Sequence, residues 1–287
     1  MTERGFLAVA PGHSPTRDLL AAAARRRGMD VVGLSGPAAA HTLRGRPGGH
    51  YYGGPAFAAR TADALAVALL EPTDDWLPSL PRTYTRRRIT NGTLAEARRL
   101  ARPAFIKPPS DKSFPAAVHA DGSRLPTGPD LPPHTPVQIS EVVTWAAEFR
   151  LFLLDGEVRT GSRYAVFGHL DVAPLDRHPR RSAVLSFAER LLATHGHTLP
   201  SAVVLDVGLL SSPERGTTEE VWAVVEANMA WFSTCYAADP GRALDVVLRA
   251  AGPHARLPDR DRPFRPRAGT TAPGPPGAVR VRSGDAG

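Results

Sequence analysis

Two lysines stand out in a chain whose other basic residues are all arginine. Of 35 basic side chains, only Lys107 and Lys112 are lysines, and they lie five positions apart. A lysine ammonium is a compact point charge that can approach a phosphate oxygen in a narrow site, unlike the planar guanidinium of arginine. Neither lysine follows a glycine, so a P-loop is excluded. The pair predicts a phosphate site of another construction; two incidental surface lysines are the alternative.

Five short motifs follow one another between residues 86 and 240. They are Phe105-Ile106-Lys107-Pro108, Ser140-Glu141-Val142-Val143, Glu148-Phe149-Arg150, Leu205-Asp206-Val207-Gly208 and Glu226-Ala227-Asn228. In this order they resemble the ATP-grasp superfamily, and the paired lysines with a partner arginine resemble its clade named for one arginine and two lysines. The resemblance implies a module of two α+β subdomains that hold ATP between them and ligate a carboxylate to an amine.

Two carboxylates and an amide form a candidate metal site. Glu226 and Asn228 are two positions apart on a predicted strand, so their side chains share a face. Asp206 ends the neighbouring apolar strand. Converging oxygens of this kind suit Mg²⁺ that bridges nucleotide phosphates, and Mn²⁺ is a second candidate. The alternative is that Glu226 and Asn228 face solvent on an edge strand.

The resemblance also implies a role for the residues around the nucleotide. Lys107 would reach the α- and β-phosphates, and Lys112 would stand in a loop that is usually glycine-rich in the family but has no glycine here. Glu141, Val142 and Val143 resemble the hinge strand whose backbone reads adenine, and Glu148 would hold the ribose hydroxyls. Ordinary exposed strand-end acids are the alternative for Glu141 and Glu148.

Two arginines are candidate catalytic residues, together with Lys112. Arg150 lies two positions from Glu148 and therefore on the same face of a regular strand. Arg163 lies across the predicted Asp155-Gly156 hairpin. Each could contact a phosphate or acyl-phosphate oxygen. Because the chain has so many arginines, only their spacing on paired strands separates them from surface residues.

The elements that position these residues follow from apolar runs and breakers. A strand over residues 6–10, a helix over 15–27 and a strand over 30–34 predict an α/β opening with a parallel pair. A helix is predicted over residues 55–70 and an extended segment over 82–89. Further predictions are a helix over 94–100 capped by Asn91 or Thr93, hairpins of 104–107 with 116–119 and of 148–154 with 157–163, strands over 137–143, 202–207 and 221–226, and helices over 181–195 and 243–251.

These elements predict an α/β fold in three parts. Residues 1–85 would form a Rossmann-like precursor domain, residues 86–252 the ATP-grasp module, and residues 253–287 a disordered tail. The tail contains seven Pro, five Gly, seven Arg and three Asp, so it carries +4 of the net charge of +7. Its composition offers too little apolar surface to fold alone.

The composition excludes several classes of protein. No apolar run approaches the roughly 18 residues that a membrane span needs. The single cysteine, Cys235, excludes a disulfide framework within the chain and favours the cytoplasm. We do not expect nucleic acid as the main partner, although the basic tail leaves a weak, salt-sensitive contact with an anionic partner open. The composition does not address the oligomeric state.

The function we predict is an ATP-dependent carboxylate–amine ligase that works through an acyl phosphate. Its expected partners are ATP with Mg²⁺ and a small-molecule or peptide carboxylate and amine. Two alternatives remain at this stage. One is a phosphotransferase on the same fold, which would consume ATP without forming an amide. The other is a nucleotide-binding or nucleic-acid-associated protein without ligase chemistry.

Overall fold

The computed structural model describes residues 5–109, 113–129, 131–211 and 220–266, which contain fourteen β-strands and eight α-helices. The strands, in chain order, are β1 (Phe6–Val9), β2 (Asp30–Gly33), β3 (Gly49–Tyr52), β4 (Val67–Leu69), β5 (Ile89–Thr93), β6 (Ala104–Lys107), β7 (Ala117–His119), β8 (Pro136–Ser140), β9 (Trp145–Leu154), β10 (Glu157–Val166), β11 (His169–Pro174), β12 (Ala202–Leu210), β13 (Trp222–Asn228) and β14 (Ala251–Pro253). The helices are α1 (Pro15–Arg26), α2 (Pro37–His41), α3 (Pro55–Leu65), α4 (Trp76–Ser79), α5 (Arg82–Thr85), α6 (Leu94–Ala97), α7 (Arg181–His195) and α8 (Pro240–Ala250). None of these helices is long and apolar enough to cross a membrane.

The N-terminal part is a three-stranded parallel sheet in the order β2-β1-β3. The predicted strand, helix and strand are therefore confirmed, including the parallel pairing. Pro15 occupies the first turn of α1, where its missing N–H costs no hydrogen bond, and Gly28 adopts φ +74° just beyond the helix. The Rossmann-like character of this part stays a prediction.

The predicted helix over residues 55–70 is wrong beyond Leu65. Ala66 adopts a left-handed conformation with φ 51°, which ends α3, and the chain continues as β4. This strand pairs antiparallel with β14, with Val67 opposite Pro253 and Leu69 opposite Ala251. The apolar run of residues 64–70 fits a buried helix or a buried strand equally well, and only its distant partner decides between them.

The disorder predicted from residue 253 onward is also wrong for residues 253–266, which pack on the body of the protein. The Asp261 side chain is fully buried. Its carboxylate accepts hydrogen bonds from the backbone N–H of Ser201 at 2.7 Å and from the Ser201 hydroxyl at 2.5 Å. The Phe264 carbonyl accepts the N–H of Glu71 at 2.9 Å. The rest of the predicted tail, residues 267–287, lies outside the described residues.

The Asp261→Ala variant tests this packing. We expect it to lower the free energy of unfolding by about 2–3 kcal/mol, because the buried Ser201 N–H and hydroxyl lose a charged acceptor. The control is Asp259→Ala in the same short 3-10 helix, Asp259–Phe264, where the Asp259 side chain is 89% exposed and pairs with the exposed Arg262. It should change stability by less than about 0.5 kcal/mol. Urea unfolding of both variants checks this, and equal midpoints would contradict the packing.

Two antiparallel sheets follow the N-terminal part. The first has four strands in the order β5-β8-β6-β7, and Thr93 caps α6 through a capping box with Glu96, as one of the two predicted caps. The second has five strands in the order β11-β10-β9-β12-β13. Both predicted hairpins are present in these sheets. The extended segment predicted over 82–89 is instead α5 followed by the start of β5, and the strand predicted over 137–143 ends at Ser140.

Helices cover both faces of the five-stranded sheet. Phe149, Leu151 and Val203 pack with Phe187 and Leu191 of α7 in one core cluster. On the other face, Phe152 and Val204 pack with Leu244 and Val247 of α8. That second cluster also contains Phe6 and Leu20, so the N-terminal sheet and the five-stranded sheet share one core.

Candidate active site

The charged candidates lie where one face of the five-stranded sheet changes from apolar to polar. Phe152 and Val204 are register partners under α8, and two residues further along each strand Arg150 lies opposite Asp206. On the next strand, Glu226 lies opposite Asp206. Period-2 alternation puts all three side chains on the same face as the apolar pair. The sheet therefore brings together the predicted Arg150, Asp206, Glu226 and Asn228.

Arg150 and Asp206 form a bidentate ion pair. Arg150 Nε donates to Asp206 Oδ1 at 2.9 Å, and a terminal nitrogen donates to Oδ2 at 2.7 Å. Asp206 is only 1% exposed. Burial raises the pKa of Asp206, and the guanidinium of Arg150 opposes that rise. The pair therefore holds a carboxylate that would otherwise be costly to bury.

Lys107, on the four-stranded sheet, connects that sheet to this cluster. Its Nζ donates to Glu226 Oε2 at 2.5 Å, from β6 to β13. The Asn228 amide nitrogen donates to Glu226 Oε1 at 2.9 Å and to Asp206 Oδ2 at 3.3 Å, so Asn228 links the three predicted metal ligands. Although burial favours the neutral acid, the Lys107 ammonium holds the pKa of Glu226 at about 2. Two cations thus balance two carboxylates.

This oxygen set fits a hard divalent cation. Carboxylate and amide oxygens are the ligands that Mg²⁺ prefers, and the Asn228 amide could turn to present its oxygen. Within the described ranges, no three His, Cys, Asp or Glu side chains group closely enough to hold a metal ion. A metal here would therefore use the mixed set of Asp206, Glu226 and Asn228, in competition with Lys107 and Arg150.

Two tyrosines that the sequence did not single out complete the cluster. The hydroxyl of Tyr164 donates to Glu148 Oε2 at 2.8 Å. Tyr164 and Tyr236 stack with ring centroids 5.2 Å apart, and the Arg150 guanidinium lies near both rings. Burial raises the pKa of Glu148, and the Tyr164 hydrogen bond opposes the rise. Glu148 therefore lies on the same face as Arg150, as predicted, and the Tyr164 hydroxyl holds its carboxylate.

Arg163, the second predicted catalytic arginine, lies on the opposite face of the sheet from Arg150. Arg163 lies opposite Phe149 in the register, on the face that α7 covers. Its guanidinium donates to the carboxylate and the carbonyl of Asp171 and contacts His178 at 3.3 Å. A register shift between Val158 and Thr160 places Ser162 opposite Arg150, so Tyr164, two positions further along β10, shares the face of Arg150 and Arg163 does not.

The predicted hinge residues lie just beyond β8. The Glu141 carboxylate accepts the backbone N–H of Arg88 at 2.8 Å and a hydrogen bond from Arg82 at 3.3 Å. The Arg88 N–H, with Arg82 beside it, lowers the pKa of Glu141. Val142 is 44% exposed, and Val142 and Val143 lie in a loop between β8 and β9. Lys112 lies outside the described residues.

One cavity of about 730 Å³ brings the cluster to a common space. Lys107, Arg150, Glu226 and Asn228 line it, together with Tyr236. Further walls come from residues 71–74, 76 and 77, from residues 107–109 and 113–116, and from Gln138. Two cationic side chains, two carboxylates and room for a ligand therefore meet at the junction of the two antiparallel sheets.

The match to a known family covers both antiparallel sheets. A family model for ATP-grasp domains, family 2 of the clade named for one arginine and two lysines, matches residues 84–246, more than half of the chain. The chain belongs to this ATP-grasp family. The resemblance found in the motifs is therefore confirmed. A comparison with curated proteins found no match.

Several solved structures are similar to this ATP-grasp chain. The ATP-grasp ligase PsnB, complexed with a phosphomimetic variant of minimal precursor, Mg and ADP, has a TM-score of 0.47 and 11% identity over 86% of this chain and 98% of that chain. A RimK domain protein ATP-grasp from Sphaerobacter thermophilus DSM 20745 has a TM-score of 0.44 and 15% identity over 85% and 100%. An L-amino acid ligase from Bacillus licheniformis has a TM-score of 0.47 and 14% identity over 80% and 68%.

Arg87 fixes strand β13 of this ATP-grasp domain. It is 7% exposed and donates to the carbonyls of Val224 at 2.7 Å and Val225 at 3.0 Å, next to Glu226. It also donates to Thr85 and Ser140, so it joins the two sheets. Burial lowers the pKa of Arg87 to about 10, and the charges of Glu226 and Glu148 oppose that change.

The Arg87→Lys variant tests this role. We expect it to lower the free energy of unfolding by about 2–4 kcal/mol, because one ammonium cannot reach the four acceptors that the guanidinium serves. Arg88→Lys is the matched control, since Arg88 is exposed and pairs with Glu141 only at 3.7 Å; it should stay within about 1 kcal/mol of the wild type. Thermal and urea unfolding measure both, and an Arg87→Lys variant as stable as the control would refute the role.

Proposed function

We propose that this protein is an ATP-dependent carboxylate–amine ligase that works through an acyl phosphate. The observation that carries the proposal is the double ion pair in the cavity, Lys107 with Glu226 and Arg150 with Asp206. Both cations are of the kind that binds phosphate, and both carboxylates are of the kind that binds Mg²⁺. Membership of the ATP-grasp family supports ATP as the nucleotide.

When the metal–nucleotide complex binds, each member of the two ion pairs would exchange its present partner for a phosphate oxygen or the metal. Lys107 and Arg150 would turn to the phosphate oxygens of ATP, and Asp206, Glu226 and Asn228 would hold Mg²⁺. The bound metal would neutralise charge on the transferring phosphoryl group. Both halves of each pair therefore keep a partner of opposite charge throughout, which avoids the cost of leaving a buried charge unpaired.

The reaction we propose has two steps. A substrate carboxylate attacks the γ-phosphate of ATP, which forms an acyl phosphate and releases ADP. An amine then attacks the acyl carbon and displaces inorganic phosphate, which forms the amide. Arg150, half-buried and aligned by Asp206 and the two tyrosines, would stabilise the phosphoryl oxygens by a preorganised positive charge. The family resemblance supports adenine at residues 141–143, ribose at Glu148 and a second lysine contact from Lys112.

Measurement of ADP release tests the function. The purified protein is incubated with ATP, Mg²⁺ and a panel of amino acids and small peptides, and the products are identified by mass spectrometry. We expect ADP release that needs both a carboxylate and an amine, an amide product, and no turnover in excess chelator. Arg163→Gln, outside the cavity, is the control that should remain active. A phosphorylated product without an amide would instead identify a phosphotransferase.

A further inference from the structure

The cavity contains a second group of polar side chains, which differs in charge from Lys107 and Arg150. Glu71 and Asp74 line it from the segment between β4 and α4, and Gln138 lines it from β8. Gln138 is the register partner of Lys107, so their side chains stand side by side on one face of the sheet. This group therefore lies directly beside the double ion pair.

Glu71 is held firmly by its backbone, and its carboxylate is left for a ligand. Its N–H donates to the Phe264 carbonyl at 2.9 Å, and the preceding Leu70 is tied on both sides, to the Ala250 carbonyl at 2.8 Å and to the Trp231 indole at 3.0 Å. Among the described residues, no side chain forms a hydrogen bond or ion pair with the Glu71 carboxylate. Burial, with the nearby charge of Asp74, raises the pKa of Glu71 to about 7.

Gln138 adds an independent observation. Its side chain is 4% exposed, and its amide nitrogen donates to the Asp74 carbonyl at 2.7 Å, which holds the 71–77 segment against β8. The amide oxygen Oε1 is buried and has no hydrogen-bond partner among the described residues. A buried acceptor without a donor lowers stability, so such an atom in a cavity wall indicates a ligand that carries N–H or O–H groups.

We infer that the Glu71 carboxylate and the side-chain amide oxygen of Gln138 form the subsite for the amine substrate, which enters as an ammonium. This inference rests on the proposed ligase function. The subsite combines a carboxylate with an amide oxygen, both acceptors, and the Asp74 carboxylate adds negative charge nearby. The other charged side chains that line the cavity are Lys107, Arg150 and Glu226, and they form the ion pairs described above. An anion would meet only acceptors here, whereas an ammonium would find charge and hydrogen-bond partners.

The same carboxylate would act as the general base of amide formation. The ammonium transfers one proton to Glu71, and the neutral amine attacks the acyl carbon of the acyl phosphate. A C–N bond forms, the C–O bond to the phosphate breaks, and the second excess proton on nitrogen leaves with inorganic phosphate as hydrogen phosphate. A carboxylate with a raised pKa suits this task at neutral pH, because it is both available as a base and strong enough to take the proton.

Binding of a small amine tests the subsite without any turnover. The full-length protein with Mg²⁺ and ADP is titrated with glycinamide, a primary amine without a carboxylate, by calorimetry. We expect Glu71→Gln to weaken binding at least tenfold, and Asp75→Asn, an exposed neighbour outside the cavity, to leave it within twofold. Equal affinity of Glu71→Gln and the wild type, or no binding to the wild type, would overturn the inference. Absence of ATP turnover in the wild type would refute the ligase function but not the amine site.

Hydroxylamine as the amine substrate distinguishes the role of Glu71 as a base from any role in forming the acyl phosphate. It is largely unprotonated at neutral pH and needs no base to attack an acyl phosphate. We expect Glu71→Gln to form hydroxamate at the wild-type rate and amide at least a hundredfold more slowly. Wild-type amide formation should also rise with pH through about 7, and the variant should lose that rise. Equal loss of hydroxamate and amide, or an unchanged pH profile, would overturn the role as a base.

Discussion

Replacing Glu226 by glutamine should reduce ATP turnover at least about a thousandfold, because the metal-assisted stabilisation that it would supply is worth several kcal/mol and each 1.36 kcal/mol is a factor of ten. The ion pair adds a second expectation. Glu226 holds the Lys107 ammonium at 2.5 Å, so its neutralisation frees Lys107 for phosphate. Nucleotide affinity without metal should therefore be unchanged or higher in Glu226→Gln, whereas the gain in affinity on adding Mg²⁺ should largely disappear.

Steady-state ADP release and calorimetric titration of ATP, each with Mg²⁺ and with chelator, measure these effects. Glu189→Gln, an exposed acid on α7, is the matched control and should behave as the wild type. A Glu226→Gln variant that keeps its full Mg²⁺ dependence would show that the metal binds elsewhere. Wild-type turnover in excess chelator would rule out the metal role for the whole oxygen set.

Replacing Lys107 by alanine should raise the dissociation constant of the Mg²⁺–ATP complex by about ten- to a hundredfold, since a charged hydrogen bond contributes about 1.5–3 kcal/mol. We expect Lys107→Arg to fail as a rescue. The Lys107 side chain is only 14% exposed between β6 and β13, and a planar guanidinium needs more room and a different geometry.

Thermal unfolding distinguishes this loss from misfolding. Glu226 is 30% exposed, so it can be hydrated when Lys107 is removed, and both Lys107 variants should remain folded. Arg99→Ala removes an exposed cation near the same sheet and is the control for net charge. Full nucleotide affinity in Lys107→Arg would mean that the position needs only a positive charge and that the rarity of lysine in this chain carries no functional meaning.

The site residues that the sequence placed correctly are those whose side chains share a face because they are two positions apart on one strand. Glu226 and Asn228 share a face because they are two positions apart on one strand, and Glu148 and Arg150 do so for the same reason. Short apolar runs placed most strands correctly, and the Asp155-Gly156 turn fixed one hairpin. The order of the motifs then identified the family, although no single motif would have done so.

The errors lie where a distant partner or a local irregularity decides the structure. Alternation could not place Tyr164 beside Arg150, because a register shift in β10 moves it there. Arg87 is one of 33 arginines, and only its four buried acceptors distinguish it. Likewise, residues 253–266 look disordered by composition alone. Their order depends on Asp261 contacting Ser201, a residue 60 positions away that the composition does not reveal as a partner.

The pairing of β4 with β14 has a consequence for the order of folding during synthesis. Val67–Leu69 finds its strand partner in Ala251–Pro253, and Leu7 and Leu20 are buried in the same core as Leu244 and Val247 of α8. A nascent chain that has emerged only as far as α7 would therefore present an unpaired strand edge and an uncovered apolar face. Residues 67–69 leave the ribosome long before their partners at 251–253, so we expect translation pauses before residue 240 to expose this protein to chaperones.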